Sequence, residues 1–108
     1  MTFFVEITQQ AETDLQEIYD YIAFQLLSPE NATGQLNRLE RNIMMLDEMP
    51  ERFHLYEKEP WRSRGLRMMT VDRYVVLYLP NRQTATVTIL RVMYGGRDID
   101  AQLKNENR

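Results

Sequence analysis

The feature that most constrains this chain is a change of period halfway along it. Ala11, Leu15, Ile18, Ile22 and Leu26 recur at spacings of four, three, four and four, and Ala32, Leu36, Leu39, Ile43 and Leu46 repeat the pattern. Such spacings put one apolar stripe on each of two helices. From Gly65 onward the helical period disappears. Residues 65–71, 74–79 and 84–93 are β-former runs, and residues 2–7 at the start read the same way. The predicted order is therefore strand, helix, helix and three strands. Short connections make the last three an antiparallel meander. Two striped helices cannot stay stable alone, so the helical hairpin must cover one face of the sheet. The opposite face is expected to be free for function. The fold class is α+β, in the order β-α-α-β-β-β, with the hairpin on one face of a small, mainly antiparallel sheet.

Local punctuation supports this division. Thr8 is a candidate N-cap, and Ser28-Pro29-Glu30 combines a cap, a first-turn proline and an acid suited to the helix dipole. Pro50 ends the second helix by disfavouring helical geometry at Met49. Residues 51–61 have no clean period, and Trp61 is expected to anchor their end. Turns are expected at Asp72-Arg73 and at residues 80–83. Along the last strand Ala85, Val87, Ile89 and Arg91 point one way; Thr86, Thr88, Leu90 and Val92 point the other. Gly95-Gly96 closes it, and residues 97–104 form a short helical turn or a tail. Asp14, Glu17 and Asp20 are expected on the solvent side of the first helix.

At 108 residues the chain suits a single domain spanning 1–108. It has no cysteine, which excludes disulfides, thiolate metal sites and a cysteine nucleophile. No run is long enough for a membrane span and no leader is apparent, so a cytoplasmic protein without a membrane partner is expected. No metal-ligand cluster or phosphate-binding glycine loop is visible, and neither metal nor cofactor is expected. Met44, Met45, Met68 and Met69 read as core fillers. His54, the single histidine, reads as an exposed loop residue.

The net charge of −3 conceals an asymmetry. Residues 1–60 hold four basic and twelve acidic side chains. Residues 61–97 hold seven arginines, no lysine and one acid, Asp72. Arginine without lysine favours a fork that grips phosphate or carboxylate.

Several stretches resemble one family. They are Ala11-x-x-Asp14-Leu15-x-x-Ile18-x-x-Tyr21-Ile22-Ala23, Ser28-Pro29-x-x-Ala32, Leu46-x-x-Met49-Pro50, Gly65-Leu66-Arg67, residues 74–78, and residues 89–98 with their Tyr94-Gly95-Gly96-Arg97-Asp98 close. Their order and spacing resemble the RelE/ParE toxin superfamily, also called plasmid-stabilisation proteins, over roughly residues 2–103. The resemblance implies the growth-inhibiting toxin of a type II toxin–antitoxin pair. It would be neutralised by a cognate antitoxin protein and meet operator DNA only through that antitoxin.

The superfamily divides by target, and its fold does not choose between them. ParE-like members inhibit DNA gyrase; RelE-like members enter the ribosome and cleave mRNA. The close at Tyr94–Asp98 looks more like the ParE side, so gyrase inhibition is the first expectation. Two glycines there would permit an unusual turn that presents Arg97. On this reading Arg67, Arg73, Arg91, Tyr94 and Arg97 form the target-binding surface. If the chain is a ribosome-dependent mRNA endonuclease instead, Arg67, Arg91 and Tyr94 are the catalytic candidates, with Arg67 clamping phosphate and Tyr94 stacking on a base or giving a proton. A non-toxic relative that only binds antitoxin is the third reading. Whether the chain is an enzyme stays open here. Loss of Arg67 or Arg91 is expected to reduce toxicity with the fold intact. An antitoxin segment is expected on the arginine-bearing sheet face or along the hairpin groove.

Overall fold

A computed structural model describes residues 1–104; residues 105–108 of the expected domain lie outside the described residues. Four strands make one sheet in the order β1-β4-β3-β2, with β1 Phe4–Ile7, β2 Arg67–Val71, β3 Tyr74–Asn81 and β4 Thr86–Tyr94. The expected meander is present, since β2 pairs antiparallel with β3 and β3 with β4. β1 lies parallel to β4, which makes the sheet mixed. Pro80, expected in a turn, instead continues β3, and the turn follows at Arg82–Ala85.

Helices α1, Gln9–Asp20, and α2, Pro29–Met44, form the hairpin. Thr8 caps α1 by accepting a hydrogen bond from Ala11 N–H at 3.1 Å. Ser28 precedes α2 without a side-chain cap, leaving Pro29 to start the helix. Ala11, Leu15, Leu39, Ile43 and Leu46 join Met69, Val71, Val76, Tyr78, Val87, Ile89 and Val92 in the main core. Both helical stripes thus pack on one sheet face, as their period requires. Met44 and Met45, at the end of α2, are exposed, against expectation, because the buried stripe runs through Leu39, Ile43 and Leu46 and passes them by.

The second face is not free. Helix α3, Trp61–Arg64, and helix α4, Ile99–Lys104, close over part of it. Tyr56, Trp61, Leu66, Val75, Leu77, Met93 and Leu103 form a separate buried cluster there. The expected open sheet face is reduced accordingly. Trp61 anchors the irregular segment as its apolar bulk requires.

Two irregularities shape one end of the molecule. The first is a π-helical turn at Tyr21–Gln25 that follows α1 directly. It buries Ile22 and Ala23 but leaves Tyr21, Phe24, Leu26 and Leu27 exposed. Leu26, expected to finish the first stripe, is therefore on the surface. The second is a bulge in β4. Ile89 faces Tyr78 and Arg91 faces Leu77, so Leu90 is an extra residue. Strict alternation would place Val92 away from Ile89. The bulge instead returns Val92 to the hairpin side, in the same core as Val87 and Ile89.

Candidate functional site

The five arginine and tyrosine candidates do not share one surface. Arg91 is buried against α1, in an ion pair whose side chains are 8% and 3% exposed. Its Nε donates to Asp14 Oδ2 at 2.8 Å and its Nη2 to Oδ1 at 3.1 Å. Val92 N–H adds a bond to Oδ2 at 2.9 Å, and Gln10 Nε2 one to Oδ1 at 3.0 Å. Asp14 is therefore not on a solvated face, as first expected, but fully engaged inside the protein. The reason is angular: at about 100° per residue, Asp14 stands about 60° from Ala11, at the margin of the apolar arc. Glu17 and Asp20 fall well outside that arc.

Arg67 is likewise committed. It shares strand parity with Met69 and Val71, which face the hairpin-side core. Its Nη1 donates to the carbonyls of Glu51 at 3.1 Å and Phe53 at 2.7 Å. Its cross-strand neighbour Tyr78 donates to the Pro50 carbonyl at 2.6 Å. Burial pushes the Tyr78 hydroxyl up to about 12. Arg67 and Tyr78 thus staple residues 50–53 to the sheet, and Arg82 adds a surface pair with Glu51.

Arg73, Tyr94 and Arg97 do come together. They line a cleft of about 680 Å³ between α1 and the end of β4, with Glu17, Ile18, Tyr21, Leu26, Tyr74, Val92 and Met93, and with Asp14 at its floor. Tyr94 is 48% exposed and meets Tyr74 edge to face, ring centroids 6.1 Å apart. Burial, followed by the neighbouring Tyr21 and Tyr94, raises the Tyr74 hydroxyl above its ordinary value. The Arg73 and Arg97 side chains are exposed and have no ion-pair partner among the described residues.

The glycines serve this site by space, not by an unusual backbone angle. Gly65 is the glycine with positive φ, whereas a Cβ on Gly96 would stand 2.5 Å from the Tyr94 ring. Gly96 thus lets Tyr94 fold back beside its own turn. Next to the cleft, Leu27 holds a left-handed φ of 54° and is 83% exposed. A non-glycine residue in that region is held there at some cost.

Sequence reasoning missed Asp14, Tyr21, Leu26 and Tyr74 as parts of this site. The Asp14 signal was its place at the stripe margin. Tyr21 and Leu26 depend on the π turn, which the spacing pattern does not announce.

A second cleft, about 390 Å³, lies beside α4 and is lined by His54, Tyr56, Lys58, Met68, Arg97 and Asp100, among others. Asp100 accepts hydrogen bonds from Tyr56 and Lys58. Those bonds, Lys58 first, hold its carboxyl below the usual range. Burial, then Asp100, raises the Tyr56 hydroxyl. His54 is exposed at the rim. Among the described residues there is no cluster suited to a metal ion, and no helix long and apolar enough to cross a membrane.

The model of the family described as "ParE toxin of type II toxin-antitoxin system, parDE" matches residues 5–99. No curated protein matches the chain. Among solved structures, the chain is similar to a chain of the chromosomal ParDE TA system from P. aeruginosa, with TM-score 0.70 and 21% identity over 86% of this chain and 96% of that one. It is similar to a free-state mutant of the E. coli toxin RelE, with TM-score 0.68 and 11% identity over 99% and 98%. It is also similar to a chain of the archaeal RelE-RelB complex from Pyrococcus horikoshii, with TM-score 0.59 and 22% identity over 90% and 99%. At these identities the likeness establishes a common fold.

Proposed function

The chain belongs to the family of ParE toxins of type II toxin–antitoxin systems, and from that premise we propose that it arrests growth by binding DNA gyrase through the cleft between α1 and the end of β4. One observation carries this reading. The cleft joins two exposed arginines, a half-exposed tyrosine and exposed apolar side chains at the hairpin tip. Aromatic, arginine and apolar groups around a concavity are what protein-binding centres are made of. Cleaving RNA asks for more: phosphate clamps on an accessible face and a proton-transfer pair. Arg67 and Arg91, the arginines first assigned that work, are spent on carbonyls and on Asp14. The target-binding set narrows to Arg73, Tyr94 and Arg97, joined by Tyr21 and Leu26.

A cognate antitoxin is the second partner. Tyr21 and Leu26 line the cleft with Arg73 and Arg97, and Phe24 and Leu27 are exposed in the same stretch of chain, which makes the hairpin tip apolar. Such a patch favours an amphipathic segment with acidic and apolar side chains. A segment seated there covers the cleft and blocks the target.

The test is a gyrase supercoiling assay with purified protein. Tyr94→Ala and Arg97→Ala are expected to raise the half-inhibitory concentration by about tenfold or more each, since centre-of-interface residues carry such losses. Full inhibition by both variants contradicts the assigned surface.

A further inference from the structure

We propose that Gln35 and Arg38 of α2 are positioning residues: by holding Asp72 they fix the turn between β2 and β3 and present Arg73 to the cleft with its charge uncommitted. The part of this concerning the target rests on the function proposed above; the part concerning the turn does not.

Residues 61–97 hold seven arginines and a single acid, Asp72. That acid turns to α2. Its Oδ2 accepts Gln35 Nε2 at 2.8 Å and Arg38 Nε at 2.9 Å. Arg38 Nη2 also donates to Gln35 Oε1 at 3.4 Å, so the three side chains form a closed set. Gln35 is buried, which fixes the base of that set in the protein. Arg38, then Gln35, holds the Asp72 carboxyl below its ordinary value, and it is ionised at neutral pH.

Val71 and Tyr74 are paired, so Asp72 and Arg73 alone connect the two strands. Asp72 holds a left-handed φ of 55°, a place that such hairpins commonly give to glycine. Aspartate tolerates that region better than most residues, but less well than glycine. Backbone geometry alone thus favours glycine here, and the carboxylate has a separate use. The end of β4 grips the same turn from another side. Gly95 N–H donates to the Arg73 carbonyl at 2.8 Å, and a Cβ on Gly95 would stand 3.3 Å from that oxygen. Arg73 is therefore held through its neighbour Asp72 by α2, and through its own carbonyl by the chain that carries Tyr94 and Arg97.

Stability does not account for the network. Arg38 and Asp72 are both exposed, and an ion pair of that kind contributes little. Position is a different matter. An arginine on a loose turn loses backbone as well as rotamer freedom when a partner binds, and one on a fixed turn loses less. Holding Asp72 against α2 also keeps the one acid of the cluster from neutralising Arg73 beside it. Both cleft arginines can then meet a partner's carboxylates.

The experiment compares the wild-type chain with Asp72→Gly, Asp72→Asn, Arg38→Met and the Asp72→Gly/Arg38→Met double variant. Read for each are the unfolding midpoint, exchange of the Gly95 amide by NMR, and gyrase inhibition. Asp72→Gly is expected to keep a midpoint near the wild-type value, because glycine suits the positive φ while only an exposed pair is lost. Its Gly95 amide is expected to exchange about tenfold faster, and its half-inhibitory concentration to rise about threefold to tenfold. Asp72→Asn keeps an acceptor and tolerates the same φ, so it is expected to lie closer to wild type. The double variant is expected to match Asp72→Gly, since both changes remove one network. Unchanged Gly95 exchange in Asp72→Gly overturns the proposal, and losses that add fully in the double variant overturn it too. Should Asp72→Gly not fold, Arg38→Met reads the same amide, and wild-type exchange there overturns it as well. Faster exchange with unchanged inhibition overturns the link to the target. If Tyr94→Ala and Arg97→Ala leave inhibition intact, the gyrase surface falls, while Gly95 exchange still decides whether α2 fixes the turn.

Discussion

Truncating Arg91 would strand the Asp14 carboxylate among apolar neighbours, with its main cation removed. Breaking a buried pair in this way costs about 3–5 kcal/mol. Arg91→Ala is thus expected to lower the denaturation midpoint sharply in urea or on heating, and any loss of toxicity would follow from instability. This reverses the expectation that the fold would stay intact. Arg67→Ala is milder but not silent, because two carbonyls at residues 51 and 53 lose a charged donor. A loss of about 1–3 kcal/mol is expected. Tyr78→Phe removes the donor to the Pro50 carbonyl and is expected to cost about 1–3 kcal/mol in the same denaturation measurement. Gly96→Ala acts differently, since the new methyl displaces an exposed tyrosine ring and not the core. Its stability is expected to change by less than about 1 kcal/mol, while growth arrest weakens.

At the scale of elements, α4 is held by Leu103 in the second core and by Asp100 under Tyr56 and Lys58. The depressed Asp100 carboxyl has a definite pH signature. A group whose folded pKa is lowered stabilises fully above its unfolded value, near about 3.9 for aspartate. That contribution disappears as pH falls through this value toward the lower folded one. Hydrogen exchange in α4 is therefore expected to accelerate below about pH 4 relative to the sheet, and Asp100→Asn is expected to abolish that acid-dependent difference. Unchanged α4 protection across that range contradicts the assignment. The order of the elements was legible in the sequence because two periods, near four and two, follow directly from helix and strand geometry. Leu39, Ile43 and Leu46 reached the main core that their spacing required, and Ala32 is buried in a smaller cluster with Ile22 and Ala23. The parallel placement of β1 has no local signature, since it depends on which sheet edge remains after the meander forms. The Leu90 bulge was equally hidden: one extra residue among Leu90, Val92 and Met93 changes faces without changing composition.

Across the whole molecule, the sequence's charge asymmetry does not become a single basic face. Arginines of one cluster are distributed among a buried pair, a carbonyl staple, a surface bridge to Glu51 and the cleft between α1 and the end of β4. Arg73, Tyr94 and Arg97 were legible as exposed residues because a turn and a strand end must face solvent. Arg67 and Arg91 were misplaced because burial of a charge depends on partners far along the chain, Asp14 for Arg91 and the carbonyls of residues 51 and 53 for Arg67. The central claim, that this toxin acts on gyrase, is tested most directly by pulse-labelling DNA and protein synthesis separately in bacteria during the first minutes after induction of this chain alone. DNA synthesis is expected to stop first, with filamentation and with protein synthesis continuing. Protein synthesis stopping first would contradict the account and point to the ribosome, and growth unaffected in both respects would contradict toxicity itself.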